Sequence, residues 1–499
     1  MGYNRDNDVT APPESEGRPA GTRADAPWRR ICGNVYVQIA AAYAAVVLVF
    51  LLNVIFNFSS YEGRTWFLPF NAYLDPRISW PLLPAVAVAA AGAWAVYRGA
   101  RAGKPLVIGA GGLAGIIGVS FAPGVGRNLP LVWVGRFVED ARNIFTLPHP
   151  LVDVARVTEL VYVHAHCRVR PAFVYWLLGG LDRALGGNTY ALALAFMVIA
   201  AAGIPVLYYG ARAITDKGRS SWAAALLATA PILLIFGSIP DGLNCLLAAA
   251  IMTFGLRAAT TKRPWPWAVA AGVVLAVALT NSYVLAALVP ILGAFALAAA
   301  IRGRGWLRSL GWWVATLAVA FAALAAFQIL SGYDHVAVFK RCFAEAQRIH
   351  AAGDDAVKFI GRTLGLAGFE APGAGHREYG VYVFANLFTL AASMGVPTAV
   401  LYVRGLFRAI TVKEVRRSVY GTVTLSFAAA FLAFNFSGLV LGEMERVGVF
   451  LVPMFVVPAA VELIRLSRER GAAARAPAII LTLNVTQALL YNLLFWTKF

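Results

Sequence analysis

Two acidic residues lie between two arginines in the stretch Arg136-Phe-Val-Glu-Asp-Ala-Arg142. A carboxylate within reach of a hydroxyl can accept its proton, and a guanidinium can bind two oxygens of a phosphate. Glu139 and Asp140 are therefore candidate general bases, and Arg136 and Arg142 are candidate anion-binding residues. The same four side chains could instead form a solvated ion-pair cluster on an amphipathic helix, since exposed ion pairs are common and weak.

A second cluster follows in the stretch His164-Ala-His-Cys-Arg-Val-Arg-Pro. His164 and His166 could help to bind a phosphate or an acceptor, and Arg168 and Arg170 are two more candidates for binding phosphate. Two histidines at positions i and i+2 share one face of a strand but diverge on a helix, and no third metal ligand is evident. No metal site is predicted, although a divalent metal stays open as a cofactor. The arginines could equally lie at the lipid headgroups.

Charged residues at two other places are candidates for the same site. Asp241, in the sequence Ile-Pro-Asp-Gly-Leu-Asn, either lines a cavity or caps a helix. Glu443, Glu445 and Arg446 occupy a short turn. Because nothing requires three charges in so short a link, they are predicted to bind substrate.

The composition predicts that these residues belong to a membrane protein. Of the 499 residues, 60% are hydrophobic and only 14% are charged, with a formal net charge of +18. A soluble domain is about half apolar and about a quarter charged, so too few charges are present to cover this apolar content in water. The Lys and Arg residues are spread between apolar runs, which argues against a nucleic-acid-binding protein and is typical of membrane loops.

The apolar runs predict an all-α polytopic membrane protein with short interfacial helices in its outer loops. A helix that spans a bilayer needs about 20 apolar residues. Thirteen predicted spans are 35–56, 80–97, 105–121, 188–211, 221–237, 241–257, 265–281, 284–301, 310–331, 379–403, 418–437, 447–464 and 477–496. A further apolar stretch, 172–186, is predicted to be a half-inserted or interfacial helix, because a full span there would invert every later loop.

The distribution of positive charge predicts the orientation. Short loops rich in Lys and Arg alternate with loops that contain few, and the basic loops mark the cytoplasmic side. The N-terminus is therefore predicted to be cytoplasmic and the C-terminus to be outside. Two outer loops, 122–187 and 332–378, are longer than a connection requires, and such loops usually carry function. Most carboxylates also lie on this side, so the chemistry is predicted at the outer membrane face.

The predicted organisation has five parts. Residues 1–30 are polar and are predicted to form a disordered cytoplasmic tail. A transmembrane hairpin, 31–104, and a transmembrane module, 105–331, follow, and the module contains the outer loop 122–187. The second large outer loop, 332–378, precedes the C-terminal transmembrane helices, 379–499.

The first long outer loop carries an acidic residue, ends in a turn with histidine and proline, and continues into an apolar helix closed by Leu-Gly-Gly. In these features it resembles the glycosyltransferase C (GT-C) superfamily of polyprenyl-phosphate-sugar-dependent enzymes. There the turn commonly reads His-Pro-Pro, whereas here it has one proline. The stretch 442–453, Gly-Glu-Met-Glu-Arg-Val-Gly-Val-Phe-Leu-Val-Pro, also resembles the entry of a late helix in that superfamily. The resemblance covers 105–465 in architecture. Because the hairpin 35–97 precedes it, either 57–79 or 122–187 could match the family's first loop.

The resemblance implies a hexosyl- or pentosyltransferase that works at the outer face of a bacterial plasma membrane. An acceptor hydroxyl would attack the anomeric carbon of a sugar carried on a polyprenyl phosphate, with inversion, and a carboxylate of the first large outer loop would take the proton. By motif position Asp140 is the first choice for this base and Glu139 the second. The implied partners are the lipid-linked donor, a glycan, lipid or protein acceptor, and membrane lipids. The candidates for holding the departing phosphate are Arg142, Arg168, Arg170 and Arg446.

Two other functions stay open. A transporter or flippase of a lipid-linked or polar substrate should show internal repeats, interrupted helices and ionisable residues in mid-span, and the sequence shows no repeat. A polymerase or ligase of surface polysaccharide would share the lipid-linked substrate and the large outer loop. Only substrate assays would separate that enzyme from the transferase.

Overall fold

The computed structural model of the chain is built from helices. It describes residues 34–56, 60–61, 64–65, 73–74, 78–123, 129–164, 168, 170–301, 305–349, 379–436, 448–469 and 475–496. Most of these residues are helical, and several helices are long and apolar enough to cross a bilayer. The predicted class, an all-α polytopic membrane protein, is therefore confirmed.

The first half of the chain contributes the helices α1 (Val35–Phe56), α2 (Leu82–Ala102), α3 (Pro105–Phe121), α4 (Leu129–Phe145), α5 (Pro150–Asp153), α6 (Val157–Leu160), α7 (Phe173–Ala184), α8 (Thr189–Ala211), α9 (Lys217–Ala228), α10 (Pro231–Phe236) and α11 (Asp241–Thr260). The second half contributes α12 (Trp265–Asn281), α13 (Leu288–Ile301), α14 (Trp306–Ser331), α15 (His335–Ile349), α16 (Tyr379–Met394), α17 (Val396–Thr411), α18 (Lys413–Arg417), α19 (Val419–Phe436), α20 (Val452–Glu469) and α21 (Arg475–Leu494). Single 3₁₀ turns lie at Val154–Arg156, Tyr283–Ala287 and Gly448–Phe450.

In the described part of the chain, two antiparallel pairs of very short strands accompany the helices. Strand β1 (Ser60–Tyr61) pairs with β2 (Arg64–Thr65), and β3 (Tyr73–Leu74) pairs with β4 (Phe495–Trp496). The second pair joins the loop after α1 to the chain after α21. Both segments therefore lie on one side of the molecule, as the predicted topology requires of two outer segments.

Among the described residues, seven helices satisfy the length and hydropathy of a membrane span. They are Leu82–Ala102, Thr189–Ala211, Asp241–Thr260, Tyr283–Ile301, Trp306–Ser331, Val419–Phe436 and Arg475–Leu494. Each of the thirteen predicted segments contains helix, but several of these helices are shorter than a membrane span or are interrupted. The number of thirteen crossings stays a prediction.

Two segments that were predicted as single spans are interrupted, and for these the prediction is wrong. The segment 221–237 divides into α9 and α10 at Thr229 and Ala230, where Pro231 begins α10. A proline inside a helix removes one backbone hydrogen bond and crowds the preceding turn, whereas it is well suited to the first position of a new helix. The segment 379–403 divides into α16 and α17, which meet at an angle of 109°.

The break between α16 and α17 lies at Gly395, whose φ is 94°. Side chains of α21 satisfy the backbone groups that this break exposes. The Val396 N–H donates to Gln487 Oε1 at 3.0 Å, and Gln487 Nε2 donates to the Ala392 carbonyl at 2.5 Å. A Cβ at Gly395 would lie 2.1 Å from Asn484 Oδ1, so this helix must pass very close to the break. In lipid such backbone groups need protein partners, because no water is present to solvate them.

The hairpin of α2 and α3 packs through small residues. A Cβ added to Gly92 would lie 2.6 Å from the Gly111 carbonyl oxygen, and one added to Gly118 would lie 2.6 Å from that of Ala85. Helices in membranes commonly approach each other through such glycine and alanine contacts. The two backbones therefore touch directly, and a larger residue at Gly92 or Gly118 would separate them.

The buried centre positions the residues that carry the predicted chemistry. Helix α11 packs against α8 and α12, and its first residue, Asp241, is 2% exposed. Helix α4 packs against α7 and α8. Helix α7 has only 12 residues, about 18 Å of helix, which is too short to cross a hydrocarbon core about 30 Å thick. The predicted interfacial helix 172–186 therefore has the expected length.

Candidate active site

Helix α4 presents Asp140 on its buried face. Phe137, Ala141 and Ile144 lie on the same face at helical spacing, and all three are fully buried. The Asp140 side chain is likewise 0% exposed, whereas Glu139 is exposed. Consecutive residues of a helix point about 100° apart, which explains the different environments. Of the two predicted bases, Asp140 is the one enclosed by protein.

His164 holds one oxygen of the Asp140 carboxylate. The His164 backbone N–H donates to Asp140 Oδ1 at 3.1 Å, and His164 Nδ1 lies 2.9 Å from the same oxygen. Because a carboxylate oxygen only accepts, Nδ1 carries the proton in this contact. Tyr162 packs its ring against the edge of the imidazole at 5.2 Å between ring centres. The orientation of both the carboxylate and the imidazole is thereby fixed.

The second carboxylate oxygen of Asp140 has no hydrogen-bond partner among the described residues. Oδ2 is buried. Leaving a charged oxygen buried without a donor costs about 1–3 kcal/mol or more, so such atoms are uncommon unless they serve a purpose. An incoming hydroxyl group would supply the missing donor. The arrangement is therefore suited to accepting a proton.

Arg142, predicted to bind phosphate, instead contacts a carboxylate of α7. Its Nε and Nη2 each lie 2.9 Å from one of the two oxygens of Asp182. The hydrogen bond to Asp182 raises the pKa of Arg142 further above its usual value. Arg136, one turn before Asp140, is half-buried. Arg142 therefore joins α4 to α7 through this ion pair.

Arg170 and Asp241 form a buried ion pair that packs against α4. Arg170 Nη2 lies 2.6 Å from Asp241 Oδ1, and the two side chains are 9% and 3% exposed. The guanidinium also lies over the ring of Phe137, 4.9 Å from its centre. Phe137 is one turn before Asp140, so the ion pair packs against the same buried face of α4 as the candidate base. Arg170 Nη1 is buried and has no hydrogen-bond partner in the part of the chain that the structure describes.

Two asparagines extend this polar network from the first turn of α11 to the end of α12. Asn244 Nδ2 lies 3.5 Å from Asp241 Oδ1, and Asn281 Nδ2 donates to Asn244 Oδ1 at 2.8 Å. Asn244 is on α11 and Asn281 ends α12. These hydrogen bonds hold the Asp241 carboxylate in place, and Asp241 in turn orients the Arg170 side chain.

Helix α15, from the predicted second outer loop, contacts the first loop through Arg341. Arg341 Nη1 donates to the Val154 carbonyl at 2.9 Å, and Nη2 donates to the Arg170 carbonyl at 2.8 Å. Sequence reasoning missed this residue. Nothing in the sequence distinguishes it, because Arg341 shares the charged side of this amphipathic helix with Glu345. Arg341 therefore helps to position the segment that carries Arg170.

Arg168 also lies between the two loops. Its Nε donates to the Val163 carbonyl at 2.8 Å, and its Nη1 lies 3.9 Å from Glu345 Oε2. The backbone that carries His164 is thereby joined to α15. Of the predicted residues, the structure brings together Asp140, His164, Arg168, Arg170 and Asp241.

Several predicted residues lie outside the described part of the chain. They are His166, Glu443, Glu445 and Arg446. No group of three or more His, Cys, Asp or Glu side chains among the described residues could hold a metal ion. The two loop acids Glu62 and Asp75, in the alternative first loop 57–79, are also outside the described residues.

Comparisons with known proteins give one family and several structures. Residues 169–329 match the family of dolichyl-phosphate-mannose-protein mannosyltransferases. This segment is less than half of the chain; it includes Arg170 and Asp241 and begins after Asp140 and His164. A comparison with curated protein sequences found no match.

Among solved structures, the chain is similar to ArnT from Cupriavidus metallidurans bound to undecaprenyl phosphate, at 18% identity and a TM-score of 0.45, over 68% of this chain and 57% of that one. It is also similar to the archaeal oligosaccharyltransferase AglB from Archaeoglobus fulgidus in complex with an inhibitory peptide and a dolichol-phosphate. That match has 14% identity and a TM-score of 0.40, over 78% of this chain and 55% of that one. The chain thus spans little more than half the length of these proteins. The resemblance to the GT-C superfamily is confirmed by the family match over residues 169–329.

Proposed function

We propose that the protein is a membrane glycosyltransferase that moves a sugar from a polyprenyl phosphate to an acceptor hydroxyl, with Asp140 as the general base. The observation that carries this proposal is the Asp140 carboxylate, with one oxygen held by His164 and the other buried without a described donor. The family match supports a lipid-phosphate donor, because members of that family are named for dolichyl-phosphate mannose.

The proposed reaction is a single displacement. The acceptor oxygen forms a bond to the anomeric carbon while the bond from that carbon to the phosphate oxygen breaks. The bonding electron pair leaves with the polyprenyl phosphate, and the acceptor proton goes to Asp140 Oδ2. Attack opposite the leaving group inverts the anomeric configuration. His164 stabilises the ionised carboxylate by donating to Oδ1.

Arg170 is the residue best placed to stabilise the departing phosphate. Its Nη2 is held by Asp241, and its Nη1 is buried without a described partner. A guanidinium fixed in this way can donate to a phosphate oxygen without first losing side-chain entropy. Arg168, half-buried between the loops, is the second candidate for this role.

Replacement of Asp140 by asparagine tests the proposal. The amide retains the shape of the side chain but cannot accept the proton, so turnover should fall by about 10²–10⁴-fold while donor binding is retained. Turnover would be measured as release of polyprenyl phosphate from undecaprenyl-phosphate sugars and from dolichyl-phosphate mannose. Binding would be measured with the same lipids.

The control is Glu139→Gln, because Glu139 is the exposed neighbour on the same helix. It removes one negative charge from the same region and should leave turnover within a few-fold of wild type. Unchanged turnover in Asp140→Asn would contradict the assignment and direct attention to Asp75 or Glu62. The same assay, given candidate glycan, lipid and peptide acceptors, separates a transferase from a polysaccharide polymerase or ligase.

A transporter or flippase remains the second candidate, because one observation favours it. The helix pair α16 and α17 is broken at 109°, and interrupted helices are typical of transporters. A flippase would move the lipid-linked sugar between leaflets of a proteoliposome, and Asp140→Asn would not abolish that movement. Sugar transfer without such movement supports the enzyme.

A further inference from the structure

A second buried carboxylate, remote in sequence from the candidate active site, is surrounded by arginines. Glu462 on α20 is 1% exposed. Its Oε1 lies 3.2 Å from Arg404 Nε, and its Oε2 lies 3.3 Å from Arg408 Nη1. Arg465, one turn further along α20, donates to both oxygens through Nε and Nη2. These four residues are called the arginine cluster below.

The arginine cluster has more positive charge than its own carboxylate can balance. Three guanidiniums stay protonated at any physiological pH, and one carboxylate opposes them, which leaves an excess of 3 − 1 = +2. Arg408 and Arg465 lie near the C-terminal ends of α17 and α20, where each helix dipole contributes about half a negative charge. The cluster therefore keeps a net positive charge after both helix ends are included.

The arginines are accessible although Glu462 is not. The side chains of Arg404, Arg408 and Arg465 are 20%, 35% and 18% exposed. Among the described residues, Arg408 donates only through Nη1, to Glu462. Its other donors can therefore reach a ligand at the surface. A guanidinium fork favours the oxygens of a phosphate.

The position of the cluster indicates where that phosphate would come from. Arg404 and Arg408 lie between the predicted spans 379–403 and 418–437, and Arg465 follows the predicted span 447–464. Both connections are rich in Lys and Arg and are predicted to be cytoplasmic. In a membrane protein, basic pockets between helix ends on this side are suited to the headgroups of anionic lipids. A lipid phosphate is held at that level by its own acyl chains, so little further entropy is lost when it binds.

We propose that the arginine cluster binds the phosphate of an anionic phospholipid headgroup, on the membrane face opposite the candidate active site. Glu462 spaces the three guanidiniums and holds them together, and the lipid phosphate balances their excess charge. The bound lipid then joins the ends of α17 and α20. This binding site is separate from the proposed transfer reaction and does not depend on it.

The experiment uses the full chain in nanodiscs of phosphatidylcholine, with increasing fractions of phosphatidylglycerol. Thermal unfolding would be followed for wild type, Arg408→Gln, Glu462→Gln and the control Arg257→Gln. Phosphatidylglycerol should raise the Tm of the wild type. Arg408→Gln should weaken the apparent affinity for this lipid by about tenfold, the effect of losing one charged hydrogen bond.

Glu462→Gln should have two effects with opposite signs. Its Tm in phosphatidylcholine should fall, because the arginines lose their common partner. Its rise in Tm with phosphatidylglycerol should equal or exceed that of the wild type, because the cluster is then more positive. Arg257 is a suitable control, since it is half-buried, donates to the Tyr209 carbonyl and stacks on Trp267. Arg257→Gln should keep the wild-type response.

Three results would overturn the proposal. Equal responses of wild type and Arg408→Gln would show that Glu462 and its arginines serve only to tie two helices together. Equal loss of the response in Arg257→Gln and Arg408→Gln would show a general effect of surface charge. The same Arg408-dependent rise with inorganic phosphate in pure phosphatidylcholine would show that the ligand is soluble phosphate and not a lipid headgroup.

Discussion

Asp140 and Glu139 are adjacent in the chain, yet α4 places one in the protein interior and the other at its surface. The same helix separates Arg142, which faces outward to Asp182, from Phe137, which faces inward to Arg170. The helix therefore divides this stretch into an exposed and a buried group. In the exposed group, Arg142 joins α4 to α7, and the buried group contains the Asp140 carboxylate and the Phe137 ring, which contacts the Arg170 guanidinium.

At this scale, the first prediction concerns Arg142 and Asp182. If the pair only joins two helices, Arg142→Ala and Asp182→Ala should each lower stability, and the double variant should show a coupling of about 1 kcal/mol. We expect this small value because Arg142 is 57% exposed, so water screens the pair. Donor affinity should be unchanged in Arg142→Ala. Chemical unfolding and lipid binding are the two measurements.

Arg183→Ala is the matched control for this prediction. Arg183 is a neighbour of Asp182 on α7 and packs over the ring of Phe145, 4.8 Å from its centre. The substitution Arg183→Ala removes one positive charge from the same surface and leaves both Arg142 and Asp182 unchanged. A tenfold loss of donor affinity in Arg142→Ala, absent in Arg183→Ala, would instead show that Arg142 holds the phosphate as the sequence predicts.

The choice of Asp140 illustrates what sequence could provide at the site and what it could not. The types of residue and their order along the first outer loop were sufficient to select Asp140, His164, Arg168 and Arg170 as candidates, and Asp241 was selected from its place at the start of a predicted span. Their pairing was not predictable, because Arg170 meets Asp241 across 71 positions and Arg341 meets Val154 across 187. Such contacts depend on how helices pack, which local composition does not specify.

At the scale of elements, hydropathy located helices but not their interruptions. The stretch 379–403 is mostly apolar, so its mean hydropathy predicts a continuous span. The structure bends it by 109° at Gly395, because Gln487 from a distant helix supplies the hydrogen bonds that the break removes. A break of this kind is decided by its partner as much as by its own residues.

Gln487→Ala should therefore be strongly destabilising. It leaves the Val396 N–H without its acceptor, whereas the Ala392 carbonyl still accepts from the Gly395 N–H at 3.0 Å. A buried donor without a partner costs about 1–3 kcal/mol, so the free energy of unfolding should fall by about that amount. Denaturant unfolding in detergent micelles, followed by tryptophan fluorescence, would measure it.

Leu490→Ala serves as the control for Gln487→Ala. Leu490 lies on the same helix, α21, and is 51% exposed. It removes comparable side-chain volume without exposing a backbone group, so the loss should be much smaller. Equal losses in the two variants would mean that the break at Gly395 does not depend on Gln487.

At the scale of the whole molecule, the uneven distribution of charge predicts which face meets the cytoplasm. His149, exposed after α4, belongs to the predicted outer side, and Lys413, exposed after α17, belongs to a predicted inner loop. In intact cells, a membrane-impermeant maleimide should label His149→Cys and should not label Lys413→Cys. After the cells are opened, both should react.

The native thiols set the background for this labelling. Cys245 and Cys342 are buried, so they should react slowly. Cys32 and Cys167 would first be replaced by alanine. The reverse pattern of labelling would place Asp140 on the cytoplasmic side and would invert the proposed orientation of the active site.

The side chains of α21 also determine when the fold can be completed during synthesis. Asn492 Nδ2 donates to the Val119 carbonyl, 373 residues earlier, and Gln487 reaches back 91 residues to Val396. At a translation rate of about 5–20 residues per second, Gln487 is made about 5–18 s after Val396. During that interval the break at Gly395 lies in the membrane without its hydrogen-bond partner. The nascent chain is therefore expected to be most vulnerable to membrane proteases just before α21 is inserted.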